Sequence, residues 1–257
     1  MNDLYQNEEL FNKFWTNRER LYPSSNFEEW KKDVLFVILD DIIKENKKKE
    51  LRFLDVGCGL GSNVLDYSKK LEKPKVFLID LSKKVISMIH KELTTSQNKY
   101  VKSKQASALK IPFQDNYFDF VFSNQVNHYF KGEDRKKAFS ELYRVCKPKG
   151  HVFICVGNKY YIPWQLTHFF KDKVLDTWIH GHMSFYSYSE LKKFMTGFKL
   201  KYLFGIGNAY RIPKSFLLFL NKIFYRKYNP FYFYKPVVPF PKILAQYFYL
   251  IGRKEKN

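Results

Sequence analysis

The strongest constraint on this chain is the stretch Leu51–Asn63, where a short apolar run (Leu51, Phe53, Leu54, Val56) breaks into glycines at alternate positions, Gly57, Gly59 and Gly61. Glycine accepts positive φ and has no Cβ, so such a turn lets backbone N–H groups approach a bound molecule closely. The segment after it, Ser62–Leu71, carries Val64, Leu65 and Leu71 at helical spacing. Strand, glycine turn and helix start, in that order, predict a nucleotide-binding corner with the positive helix end toward the ligand.

Lys75–Asp80 reads as a buried strand ending in a carboxylate. In dinucleotide-binding folds an acidic residue about 20 positions after the glycines accepts hydrogen bonds from ribose hydroxyls, and Asp80 fits that role. The glycine spacing is G-x-G-x-G, however, and not the dinucleotide G-x-G-x-x-G. A second acidic residue, Asp55, ends the first strand. The run Asp55-Val56-Gly57-Cys58-Gly59-Leu60-Gly61 resembles motif I, (D/E)-x-G-x-G-x-G, of the class I S-adenosylmethionine (SAM)-dependent methyltransferases. The resemblance implies an α/β fold: a Rossmann-like seven-stranded, mostly parallel sheet with its last strand antiparallel and helices on both faces. It also implies S-adenosyl-L-methionine as cofactor, held by Asp55, Gly57, Cys58, Gly59, Asp80 and Leu81.

A chain of 257 residues can bury the core of one α/β domain with additions. The formal charge of +20 suggests an anionic partner, whether nucleic acid, a phosphorylated substrate or a membrane surface. Abundant Lys, Asn, Phe and Tyr are equally what AT-rich codons give. The three cysteines form no C-x-x-C pair, which argues against a disulfide scaffold and a structural zinc. Cys58 and Cys155 read as small packing residues. Met1–Leu10 is acidic and polar, unlike a signal peptide. No apolar run approaches the ~20 residues of a membrane-spanning helix. A cytoplasmic protein is expected, with room for peripheral contact at the inner membrane face.

Residues 1–50 read as a helical lid, with stripes at Leu10, Phe11, Phe14 and Trp15 and again over Phe27–Ile43. By resemblance, Tyr5, Trp15 and Arg18 could cover the cofactor, with packing against the core domain as the alternative, the favoured one for Trp15. Residues 51–157 alternate strand and helix patterns and form the expected cofactor-binding core. Its strands are placed at Leu51–Val56, Val76–Asp80, Tyr100–Gln105, from Phe118 to Asn124, and at His151–Val156, with helices after Ser82 and over Asp134–Cys146. The block Ser107-Ala-Leu-Lys-Ile-Pro-Phe-Gln-Asp-Asn-Tyr-Phe-Asp-Phe-Val-Phe resembles that of the ubiquinone and menaquinone methylating enzymes. Here Ser107 replaces the aspartate that meets the adenine amino group in the family, leaving Ser107 and the Ala108 N–H as adenine contacts. Ser123 and Asn124, at the C-terminal end of the fourth strand, are candidates for the methionine end. Asp119 is read as structural. Lys147–Gly150 resembles the family's L-K-P-G-G turn, with Lys149 in place of a glycine.

Residues 158–207 depart from this alternation and are read as the substrate side plus a sixth strand at Phe198–Phe204, preceded by a helix over Ser189–Thr196. His180 and His182 lie two apart with no third ligand cluster, so no metal is expected. Residues 208–243 hold Lys and Arg among many aromatics and no Asp or Glu. Such an insertion suits an anionic membrane surface, or else caps the core with its cations in solvent. Residues 244–257 hold the final reversed strand.

Methyl transfer needs donor and acceptor held in line, and no protein nucleophile. His128, His180 or His182 could serve as general base toward a hydroxyl acceptor. The N-P-P-(Y/F) motif of base-amino methylating enzymes is replaced by Ser123-Asn-Gln-Val-Asn127, which disfavours a nucleic-acid substrate. The leading expectation is methylation of a small-molecule, sugar or lipid-linked acceptor at oxygen. The alternatives are an RNA methyltransferase, a nucleotide-binding dehydrogenase and a non-catalytic SAM-binding, membrane-associated protein.

Overall fold

β1 (Leu51–Val56) is paired on one side with β2 (Pro74–Asp80) and on the other with β4 (Phe118–Asn124), both parallel to it. The computed structural model describes residues 35, 36, 38–44, 50–93, 97–161, 184–206 and 247–255. Tyr5, Trp15, Arg18, His180, His182 and the whole of 208–243 lie outside them. β3 (Val101–Gln105), β5 (Cys146–Gly157), β6 (Phe198–Ile206) and β7 (Tyr247–Lys254) complete one seven-stranded sheet in the order β3-β2-β1-β4-β5-β7-β6. β7 runs antiparallel to both β5 and β6. The order reverses between β1 and β4, and in open α/β sheets that reversal opens a ligand crevice at the carboxyl ends of the strands.

Alternation along the strands gives each face its own core. Phe53, Leu78, Phe120, Phe122, Phe153 and Ile251 face α1 (Ser62–Ser68), α2 (Lys83–Glu92) and the helical residues 38–44. Leu54, Ile79, Val121, Ile154 and Leu250 face α3 (Gly132–Val145) and α4 (Tyr188–Phe194). Leu35, Ile38, Leu39 and Ile42 are buried in the first core, and Tyr67 donates a hydrogen bond to Asp40 at 2.8 Å. The described part of the N-terminal segment thus packs on the core.

The predicted elements recur with shifted ends. β2 begins two residues early at Pro74, a position where no ladder N–H is needed. α2 is capped by Ser82, whose side chain accepts from the Val85 N–H, as its sequence suggests. α4 begins at Tyr188 because Ser187 and Glu190 form a reciprocal capping box. The turn expected at Lys147–Gly150 is a bulge inside β5: between Phe118 and Phe120 the partner position advances from Cys146 to His151. Lys149 takes φ +66° there, the conformation that favours the glycine of the family pattern. Asp119 accepts from the Arg52 N–H at 3.1 Å and from Lys147 Nζ at 2.9 Å, tying β4 to the β1 start and to this bulge. Its structural reading is correct.

Candidate active site

The glycine turn leaves β1 with Gly57, Gly59 and Gly61 all at positive φ (64°, 52° and 69°). A Cβ on Gly57 would also lie 2.4 Å from Val126 Cγ2, so the turn packs directly on the connection after β4. The N–H groups of Cys58, Gly59 and Gly61 are engaged within the fold, bonded to Ile79 O, Asp80 Oδ2 and Cys58 O respectively. Three of the turn's donors are thus held within the fold, and close approach at the turn rests on its lack of Cβ atoms.

Asp80 ends β2 with both carboxylate oxygens in use. Oδ2 accepts from Gly59 N at 3.0 Å and Oδ1 from Ser82 N at 2.9 Å. A carboxylate has about four acceptor positions, so capacity remains for a hydroxyl donor. Burial raises its pKa, while the bonds from Ser82, Gly59 and Leu81 act the other way. Beside it, Gln105 donates to Leu81 O at 3.0 Å and Ala106 N donates to Asp80 O at 2.9 Å. These bonds bring Leu81, Ser107 and Ala108 to the same end of the sheet. Ser107 Oγ accepts from Leu109 N at 3.1 Å, so its hydroxyl shapes its own turn. The rest of that block is clamped to α3: Arg144 donates to the carbonyls of Phe113 at 2.7 Å and Ile111 at 2.8 Å, while Glu141 accepts from Ile111 N at 2.7 Å.

Below the turn lies a small cavity lined by Leu35, Asp55, Asn63, Val64, Phe122, Asn124, Phe153, Cys155 and Tyr249. Asp55 is 5% exposed and makes no hydrogen bond with the described residues. Burial, and then the charge of Asp80, push its carboxyl pKa up to about 8. A buried carboxyl beside the carboxamides of Asn63 and Asn124 fits the charged amino-acid end of a ligand. Asn63, Tyr249 and Leu35 escaped the sequence reading. The Asn63 position, two after the last glycine, was the one signal available.

Ser123 points to the other side. Its Oγ accepts from Asn127 Nδ2 at 3.0 Å, both residues being buried. Asn127–Tyr129 form a 3₁₀ turn at the end of β4, holding His128 with 2% exposure and its ring 4.3 Å from that of Tyr129. Ser184 and Tyr186 are pinned onto this turn: Ser184 N donates to His128 O at 2.6 Å and Tyr186 Oη to Asn127 O at 2.7 Å. The structure thus gathers Asp55, Asp80, Leu81, Ser107, Ala108 and Asn124 around the crevice, with Ser123 and His128 on its far flank. No group of three metal-ligating side chains occurs among the described residues.

Residues 54–154 match the family described as "Methyltransferase domain". Phosphoethanolamine N-methyltransferase 2 of Caenorhabditis elegans is 32% identical over 108 residues, 42% of this chain and 24% of that protein. The ubiquinone/menaquinone biosynthesis C-methyltransferase of Vibrio cholerae is 31% identical over 114 residues, 42% of each chain. The chain thus spans less than half the length of these curated relatives. A SAM-dependent methyltransferase structure from Thermotoga maritima shares the fold, with a TM-score of 0.56 at 16% identity over 96% of this chain and 99% of that one. Residues 54–154 thus match a methyltransferase domain and share the fold of a SAM-dependent methyltransferase.

Proposed function

We propose that the chain transfers the SAM methyl group to a small-molecule acceptor (a sugar, a phenol or a lipid-linked compound) at oxygen. The observation that supports this reading is the buried carboxyl of Asp55, without a hydrogen bond to the described residues, facing a small cavity directly under the glycine turn. When bound, the cofactor supplies a methyl carbon made electrophilic by a sulfonium. The residues of the chain hold and orient it. Asp80 takes the ribose hydroxyls on its remaining acceptor capacity, and Asp55 takes the ammonium. Asn63 and Asn124 offer amide donors to the carboxylate. Leu81, Ser107 and Ala108 border the adenine. Alignment of this kind lowers a barrier by roughly 7–11 kcal/mol.

A hydroxyl acceptor must lose its proton as the new O–C bond forms. His128, beside the end of β4, is the base on this reading, with His180 and His182 as the alternatives on the neighbouring segment. A carbon acceptor is the second reading, favoured by the printed name of the Vibrio cholerae relative, a C-methyltransferase. Incubating the protein with methyl-labelled SAM and a panel of phenols, quinols, sugars and lipid extracts tests both. An O-methyl ether whose formation falls about 10²-fold in His128→Gln, at unchanged SAM affinity, supports the first. A C-methyl product replaces it with the second. SAM binding with no turnover on any acceptor contradicts both. If the acceptor is lipid-linked, the protein should pellet with anionic vesicles through the basic residues of 208–243, and equal pelleting without that segment would refute it.

A further inference from the structure

Asn124, Cys155 and Tyr249 form one row across three strands: Asn124 is opposite Cys155 in the β4–β5 ladder, and Cys155 is opposite Tyr249 in the β5–β7 ladder. All three line the cavity with Asp55. Neighbouring strands lie ~4.8 Å apart, so β4 and β7 are separated by roughly 10 Å. A tyrosine side chain bridges that gap only when the residue between is short, and Cys155 is. The Tyr249 hydroxyl donates to Asn124 Oδ1 at 3.2 Å. An amide whose oxygen is held in this way turns its Nδ2 hydrogens to the opposite side, and Asn124 Nδ2 has no other hydrogen-bond partner among the described residues.

We propose that Tyr249 is a positioning residue for cofactor recognition: its hydroxyl fixes the Asn124 amide so that Nδ2 presents hydrogens to the carboxylate at the amino-acid end of the cofactor. The inference rests on the reading that this cavity receives that end. Without this bond Asn124 can change rotamer and leave the carboxylate's position. The reversed strand β7 thereby holds in place one donor of a pocket formed otherwise by Leu35, β1, α1, β4 and β5.

Calorimetry with two ligands tests it: S-adenosylhomocysteine, which carries the amino-acid end, and 5′-methylthioadenosine, which lacks it. Tyr249→Phe should weaken S-adenosylhomocysteine about 3–10-fold and leave 5′-methylthioadenosine unchanged, as expected for one oriented hydrogen bond. In an Asn124→Ala background the same change should have no further effect. Asn124→Asp keeps an acceptor for Tyr249 but removes the donor face, and should weaken S-adenosylhomocysteine tenfold or more while sparing the shorter ligand. That variant tests the amide orientation even if Tyr249→Phe does not fold. Equal losses for both ligands, no loss for S-adenosylhomocysteine, or full additivity of Tyr249→Phe and Asn124→Ala would overturn the proposal. Failure of the unaltered protein to bind either ligand would instead refute the cofactor site on which it depends.

Discussion

Gly59 donates its backbone N–H to Asp80 Oδ2 at 3.0 Å, joining the middle of the glycine turn to the end of the neighbouring strand. The second carboxylate oxygen accepts from Ser82 N, the cap of α2. One side chain therefore fixes the turn and the next helix start before any ligand is present, while keeping acceptor positions open toward the crevice.

Replacing Asp80 by Ala should accordingly do two things. Two buried backbone N–H groups lose their acceptor, at a cost of about 1–3 kcal/mol each. The affinity for SAM should also fall more than tenfold, because the charge-assisted ribose contact is gone. Chemical denaturation and calorimetry read the two effects separately; unchanged affinity in a folded variant would remove Asp80 from the site.

Asp55 makes the domain sensitive to pH. Its carboxyl pKa of about 8 lies far above the unfolded value of ~3.9, so between those values the folded state holds a proton that the unfolded state has lost. Its contribution to stability is full below about pH 4 and is lost as pH rises through about 8. Binding a cationic ammonium favours the ionised form, so S-adenosylhomocysteine should bind more tightly as pH rises from 6 to 8, with proton release. Titration in buffers of different ionisation enthalpy measures this, and Asp55→Asn should abolish it.

The Arg144–Glu141 pair supports the adenine-side loop through its backbone, since it holds both Ile111 groups and the Phe113 carbonyl. Arg144→Ala should raise the KM for SAM about 3–10-fold with kcat little altered. Hydrogen exchange over residues 107–117 should accelerate in parallel. Unchanged exchange there would show that the loop holds itself.

Lys254 is 5% exposed, and its Nζ donates to Asn116 Oδ1, Tyr143 O and Cys146 O at 2.8, 2.8 and 2.9 Å. Ala at this position would strand three acceptors and should lower stability by about 2–3 kcal/mol, without changing SAM affinity. A thermal melt and a binding titration on the same sample check both halves.

Local chemistry made the corner legible. The glycines needed for positive φ, the carboxylate of Asp80 at the next strand end and the Ser82 cap are all encoded within some thirty residues of sequence, and the structure places them together. What the sequence could not display is lateral neighbourhood. Tyr249 meets Asn124 across 125 positions because β7 reverses and enters between β5 and β6, and no periodicity in the chain announces that register. The same holds for the Arg144 clamp, whose partners lie 31 and 33 residues away in a loop without regular structure. The turn's own hydrogen bonds were hidden too: positive φ was legible, but that the carbonyl of Ile79 and the carboxylate of Asp80 hold the Cys58 and Gly59 N–H groups was not.

The most direct measurement is a calorimetric titration of the purified full chain with S-adenosylhomocysteine. The account calls for saturable binding at one site per chain, weakened more than tenfold by Asp80→Ala. Absence of binding by the unaltered protein at millimolar ligand, or binding indifferent to the loss of Asp80, would contradict it.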